Sequence, residues 1–76
     1  MTRRLHTLRR AWSVDMLSVQ EYAYQSGNVD WRASALADDL PGEFRCIGVT
    51  GPTREAALFN LKAAIDAVRE PTQVAA

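Results

Sequence analysis

One cysteine and one histidine are all the chain has of the two residue types most often used to hold transition metals. A lone Cys46 excludes an intrachain disulfide, which fits a reducing compartment. His6 and Cys46 form no C-x-x-C or H-x-x-x-H spacing, so the ligand set of a zinc site is not there. A Ser/His/Asp arrangement needs an oriented histidine, and His6 stands in an arginine-rich N-terminal segment without an orienting carboxylate. Gly48-Val49-Thr50-Gly51 lacks the lysine of a P-loop and the glycine pattern of a dinucleotide site. No apolar run reaches the roughly 20 residues of a membrane span. The N-terminal arginines precede no apolar stretch of the secretory kind. The expectation is a non-enzymatic protein with no metal, no cofactor and no membrane segment.

What the chain does have is an ordinary globular composition, 47% hydrophobic and 24% charged. Its 76 residues suit one domain with a thin core, of a size often completed by a partner subunit. The formal net charge is zero but unevenly placed. Arg3, Arg4, Arg9 and Arg10 fall in the first ten residues with no acid among them, while all nine acids lie further on. Residues 1–11 therefore read as a basic arm before an acidic body. Such an arm is either a solvated tail or a contact for phosphate or an acidic surface.

Residues 12–24 alternate as a strand would, with Trp12, Val14 and Met16 in phase and a slip to Leu17, Val19 and Ala23. The slip predicts a bulge or a strong bend. A competing helix over residues 3–18 would use Leu5, Leu8, Trp12 and Met16. Gln25-Ser26-Gly27-Asn28 is a turn. Residues 29–36 show clean alternation, with Val29, Trp31, Ala33 and Ala35 on one face. The small Ala33 and Ala35 predict something bulky packed over them. Asp38 to Gly42 breaks the strand, and residues 43–50 form a third, with Phe44, Cys46, Ile47 and Val49 apolar on both parities. Thr53 is the expected N-cap of a helix over residues 54–69, whose stripe is Ala57, Leu58, Leu61, Ala64, Ile65 and Val68. Pro71 blocks its continuation, and residues 71–76 read as a loose tail. The layout is a three-stranded antiparallel sheet with one C-terminal helix on one face, an α+β domain over residues 12–70.

Few side chains carry chemistry. Asp38 and Asp39 read as solvated loop acids, and Cys46 as a small core residue. Trp12, Trp31, Tyr22, Tyr24 and Phe44 suit a core, a protein interface, or base stacking beside Arg32 and Arg45. Phe59 lies beside the helical stripe and is expected to stay exposed.

The run Asp30-Trp31-Arg32-Ala33-Ser34-Ala35-Leu36, then Asp39-Leu40-Pro41-Gly42, then Gly51-Pro52-Thr53-Arg54-Glu55-Ala56-Ala57, resembles the HicB antitoxin family. The helix continues as Asn60-Leu61-Lys62-Ala63-Ala64-Ile65, similar to that family's N-x-x-x-A-I. The likeness covers residues 14–69. There are three departures. The Gly42 to Gly51 spacing is about four residues longer than is usual in that family, counted along this sequence. Ala56 replaces an acid, removing the capping box of Thr53. The chain ends after the helix, where such proteins continue with another strand and often a DNA-binding domain.

The resemblance implies a truncated RNase H-like fold without catalytic acids, usually dimeric, that neutralises a small RNase toxin by direct contact. Operator binding does not follow from it. The expected partner-binding residues are Trp31, Phe44 and Phe59, in a cytoplasmic homodimer from a bacterium or phage. The alternative is a nucleic-acid-binding module using Arg3, Arg4, Arg9 and Arg10.

Overall fold

The computed structural model describes residues 2–70, and residues 2–4 through their backbone alone. Helix α1 spans Thr2–Ala11, strand β1 Met16–Ala23, β2 Val29–Leu36, β3 Cys46–Gly51 and helix α2 Arg54–Arg69. The strands form an antiparallel sheet in the order β1-β2-β3, with Ala33 opposite Val19 on one side and Val49 on the other. Helix α2 packs on one face, so the fold is α+β as the sequence implies. β2 and α2 have the bounds that their periodicities predict. The expected loose tail, residues 71–76, lies outside the described residues.

Ala33 and Ala35 are buried in one cluster with Ala57, Leu58, Leu61 and Ile65 of α2. Two methyl groups in the central strand leave room for the helix, which fills it with larger side chains. Full burial of Leu61 or Ile65 stabilises the fold by roughly 1.5–3 kcal/mol each. Leu17 and Val19 on β1, and Ile47 and Val49 on β3, flank the cluster half-buried.

The arm is the main correction. Residues 2–11 are helix α1, which presents Leu5 and Leu8 to the core, together with Trp12 just beyond its end. The expected strand over 12–24 is correspondingly shorter. Trp12 and Val14 belong to the helix exit, and the phase slip at Met16 and Leu17 marks a strand start, not a bulge. Ser13 takes φ 57°, its N–H donates to the Arg10 carbonyl at 3.1 Å, and the Val14 N–H donates to the Arg9 carbonyl at 3.2 Å. That pair of reversed bonds is a Schellman motif, and the buried Val14 is its apolar anchor. The Asp15 N–H then donates to the Leu36 carbonyl at 2.7 Å, and sheet pairing begins.

The β1–β2 connection is a tight turn ending in Gly27 at φ 98°, closed by Gly27 N–H to the Tyr24 carbonyl and Tyr24 N–H to the Asn28 carbonyl. The third strand starts at Cys46, not at residue 43, because residues 41–45 are turn and bend. Leu40 plugs this loop into the core at 1% exposure. The Arg45 guanidinium donates to the Asp38 carbonyl at 3.0 Å across the loop mouth. Cys46, expected in the core, is exposed on the outer face of the sheet.

Three features seat α2. The Thr53 hydroxyl accepts from the Ala56 N–H at 3.0 Å, so the N-cap survives the loss of the capping-box acid. Gly51 lies so close to the first turn that an added Cβ would sit 2.6 Å from the Ala57 nitrogen. At the other end, Arg69 donates to the carbonyls of Trp12 and Ser13 and to both oxygens of Asp39.

Candidate functional site

Leu8 of α1 and Trp12 just after it face Leu58 and Phe59 of α2 across an open groove of about 260 Å³. Arg54, Glu55 and Lys62 form its rim. Leu58 is buried in the groove floor, whereas Phe59 keeps 74% of its surface exposed. Lys62 is held along the helix by Asp66 at 2.7 Å. The groove exists only because residues 2–11 are helical, so its α1 wall was not legible as a site. Leu8 and Trp12 did stand at helical spacing, and that was the available signal.

The outer face of the sheet carries no helix among the described residues. Met16, at 61% exposure, sits opposite Leu36, which sits opposite Cys46, giving an apolar row across all three strands. The next row is small and polar: the hydroxyls of Ser18 and Ser34 lie 2.9 Å apart, with Gly48 beyond. Gln20, Arg32 and Thr50 follow. A shallow depression is floored by Ser34 and Gly48 and walled by Arg32 and Thr50. Arg32 also lies 5.7 Å from the Tyr22 ring, which meets Tyr24 edge-on at 5.0 Å. The Tyr24 hydroxyl donates to Asp30 at 3.0 Å, and that bond to a carboxylate raises its pKa.

The three expected partner-binding residues do not share one surface. Phe59 lines the groove. Trp31 is half-buried on the core face at the end of β2 opposite Gly51. Phe44, 76% exposed, tips the loop at the other end, just before the Leu36–Cys46 pair. Five residues of strand separate Trp31 from Leu36, about 17 Å at strand rise. Of the arginines, Arg9 is half-buried with Nη2 3.4 Å from His6 Nδ1, and Arg10 is exposed. Arg3 and Arg4 belong to α1, with side chains outside the described residues.

Among the described residues, no group of three or more His, Cys, Asp or Glu side chains could hold a metal ion. Nor is any helix there long and apolar enough to cross a membrane. The groove offers an aromatic and aliphatic wall with a mixed-charge rim, which suits recognition of an apolar side chain or an amphipathic element. No family model, no curated protein and no solved structure matches this chain.

Proposed function

We propose that the chain is a non-enzymatic protein-interaction module of the HicB-antitoxin kind. It binds a small RNase toxin, or another protein, and neutralises it by direct contact in the cytoplasm of a bacterium or phage host, without a cofactor. The observation that carries this reading is the exposed Phe59 at the mouth of an apolar groove. A single exposed apolar residue is ordinary, but one continuous with a groove of Leu8, Trp12 and Leu58 is the arrangement of an interface anchor. The β-β-β-α order over residues 16–69 agrees with the family likeness, and α1 adds a wall that the likeness does not include.

The test is capture from host lysate at moderate salt, followed by an RNase assay on the captured protein. One small basic RNase, inhibited by the wild-type protein and at least tenfold less by Phe59→Glu, is the expected result. A captured protein without RNase activity removes the antitoxin reading. Capture unaffected by Phe59→Glu removes the groove as the contact.

A second reading is favoured by α1, an ordered helix bearing four arginines and no acid. Nucleic acid bound there would lose affinity steeply with salt, with a log–log slope near −0.9 per duplex phosphate neutralised. Changing Arg3, Arg4 and Arg10 to Gln tests this without removing Leu5 and Leu8 from the core. Binding that is insensitive to both salt and these changes rules it out.

A further inference from the structure

The aromatics that base stacking could use part company in the structure. Trp12 lines the groove, Trp31 is half-buried on the core face and Phe44 tips a loop. Tyr22 and Tyr24 stay together on the outer face, 48% and 45% exposed, with ring centroids 5.0 Å apart. Of the two arginines that stood beside these aromatics in the sequence, Arg45 turns its guanidinium to the Asp38 carbonyl. Arg32 instead lies 5.7 Å from the Tyr22 ring.

The register of the three strands sets the outer face in rows roughly 7 Å apart, two strand residues per step. Next to the tyrosines comes the row of Arg32 and Thr50, then the row of Ser34 and Gly48. The depression at these two rows holds about 400 Å³. It is open because Gly48 has no side chain; a Cβ there would meet the Ser34 Cβ at 3.6 Å. The Ser34 hydroxyl is 2.9 Å from that of Ser18, and whichever of them donates, the pair keeps one O–H for a further acceptor. Asp30 and Arg32 are the only charged residues at outward positions of the strands. The Asp30 carboxylate accepts from the Tyr24 hydroxyl, and neither ion pair among the described residues involves Arg32. A guanidinium beside hydroxyl donors, with no carboxylate at ion-pair distance, suits the oxygens of a phosphate. A protein interface centres on a desolvated apolar core, whereas the centre of this face is a cation and hydroxyls.

We propose that the outer face of the sheet binds single-stranded nucleic acid, with one phosphate in the depression against Arg32, Ser34 and Thr50 and the adjoining base stacked on the Tyr22–Tyr24 pair. Aromatic side chains beside a cationic backbone contact are the means by which such strands are held without regard to sequence. A duplex has its bases already stacked in pairs and offers none to the tyrosines. The site lies on the side of the sheet opposite α2, so it depends neither on the groove at Phe59 nor on the arginines of α1.

The experiment is fluorescence anisotropy of a labelled thymidine octamer, single-stranded and then annealed to its complement, titrated with the full chain. The expected result is binding of the single strand, with the duplex at least tenfold weaker. Arg32→Gln should weaken single-strand binding at least tenfold, and Tyr22→Ala at least fivefold. Tyr22→Phe, which keeps the ring, should bind as the wild type does. All three positions are exposed, so circular dichroism should be unchanged in each variant. One neutralised phosphate gives a log–log salt slope near −0.7. Changing Arg3, Arg4 and Arg10 to Gln should leave this binding intact. No octamer binding by the wild type overturns the proposal, and a captured protein whose affinity falls with Arg32→Gln would then take the face instead. Octamer binding that survives Arg32→Gln and Tyr22→Ala but is lost with the α1 arginines also overturns it and assigns the nucleic acid to α1.

Discussion

Arg69 and Asp39, thirty residues apart, meet in a two-pronged ion pair, Nε to Oδ2 at 2.7 Å and Nη2 to Oδ1 at 3.0 Å. The same guanidinium holds the carbonyls of Trp12 and Ser13. One planar cation thus joins the end of α2, the exit of α1 and the loop after β2, a task that suits the fork of donors on arginine.

Arg69→Ala leaves two carbonyls at the end of α1 without these partners. At roughly 0.5–1.5 kcal/mol for each lost bond, the expected cost is about 1–3 kcal/mol. Lysine, a single point of charge, should recover only part of it. Thermal unfolding of the three proteins side by side checks the order wild type, Lys, Ala.

The hydrogen bonds from Arg69 hold the Asp39 carboxyl below its ordinary pKa. A lowered pKa in the folded state gives stability that is present above the ordinary aspartate value and lost as pH falls through the folded one. The melting temperature should therefore fall as Asp39 protonates in the acid range, by an amount that salt reduces, because the group is exposed. In Asp39→Asn this part of the pH profile should flatten. An unchanged profile in that variant would place the acid sensitivity elsewhere.

Ser13 holds a left-handed conformation, which costs an ordinary L residue roughly 1–2 kcal/mol. Ser13→Gly removes that cost and keeps the carbonyl that Arg69 uses. After the extra chain entropy of glycine, a net gain of about 0.5–1 kcal/mol is expected, a rise in melting temperature of a few degrees. A drop would mean that the serine side chain matters more than its φ.

Gly51→Ala and Gly48→Ala should part company. A Cβ at position 51 meets backbone of α2 at 2.6–3.0 Å, so the helix must shift, at about 1–3 kcal/mol or more. At position 48 the nearest atom is the Ser34 Cβ at 3.6 Å, ordinary contact, and alanine should be tolerated or mildly stabilising. Denaturant melts separate the two outcomes.

β2 and α2 were legible to the residue because each has one buried face and a clear period. Thr53 and the exposure of Phe59 followed from the same pattern. α1 was legible only as the competing helix over residues 3–18, because arginines outnumber its apolar residues and those that pack recur only at Leu5, Leu8 and Trp12. Ser13 hid its end, since the left-handed cap there usually carries glycine. Phe44 and Cys46 suggested a longer third strand because apolar residues in a turn look like strand when only composition is visible. Asp39 read as a solvated acid, and nothing local announces a partner thirty positions away. Trp31 follows the core parity of its strand, as the alternation of residues 29–36 implies, and lies half-buried there.

Because Arg69 is the last residue of α2, its grip is only as durable as the final helical turn, the part of a helix that opens most readily. Each time that turn unwinds, the exit of α1 loses its tether. The amide protons of Ser13 and Val14 should thus exchange with solvent in step with those of residues 66–69, so that the two ends of the described chain breathe together while the sheet between them stays closed.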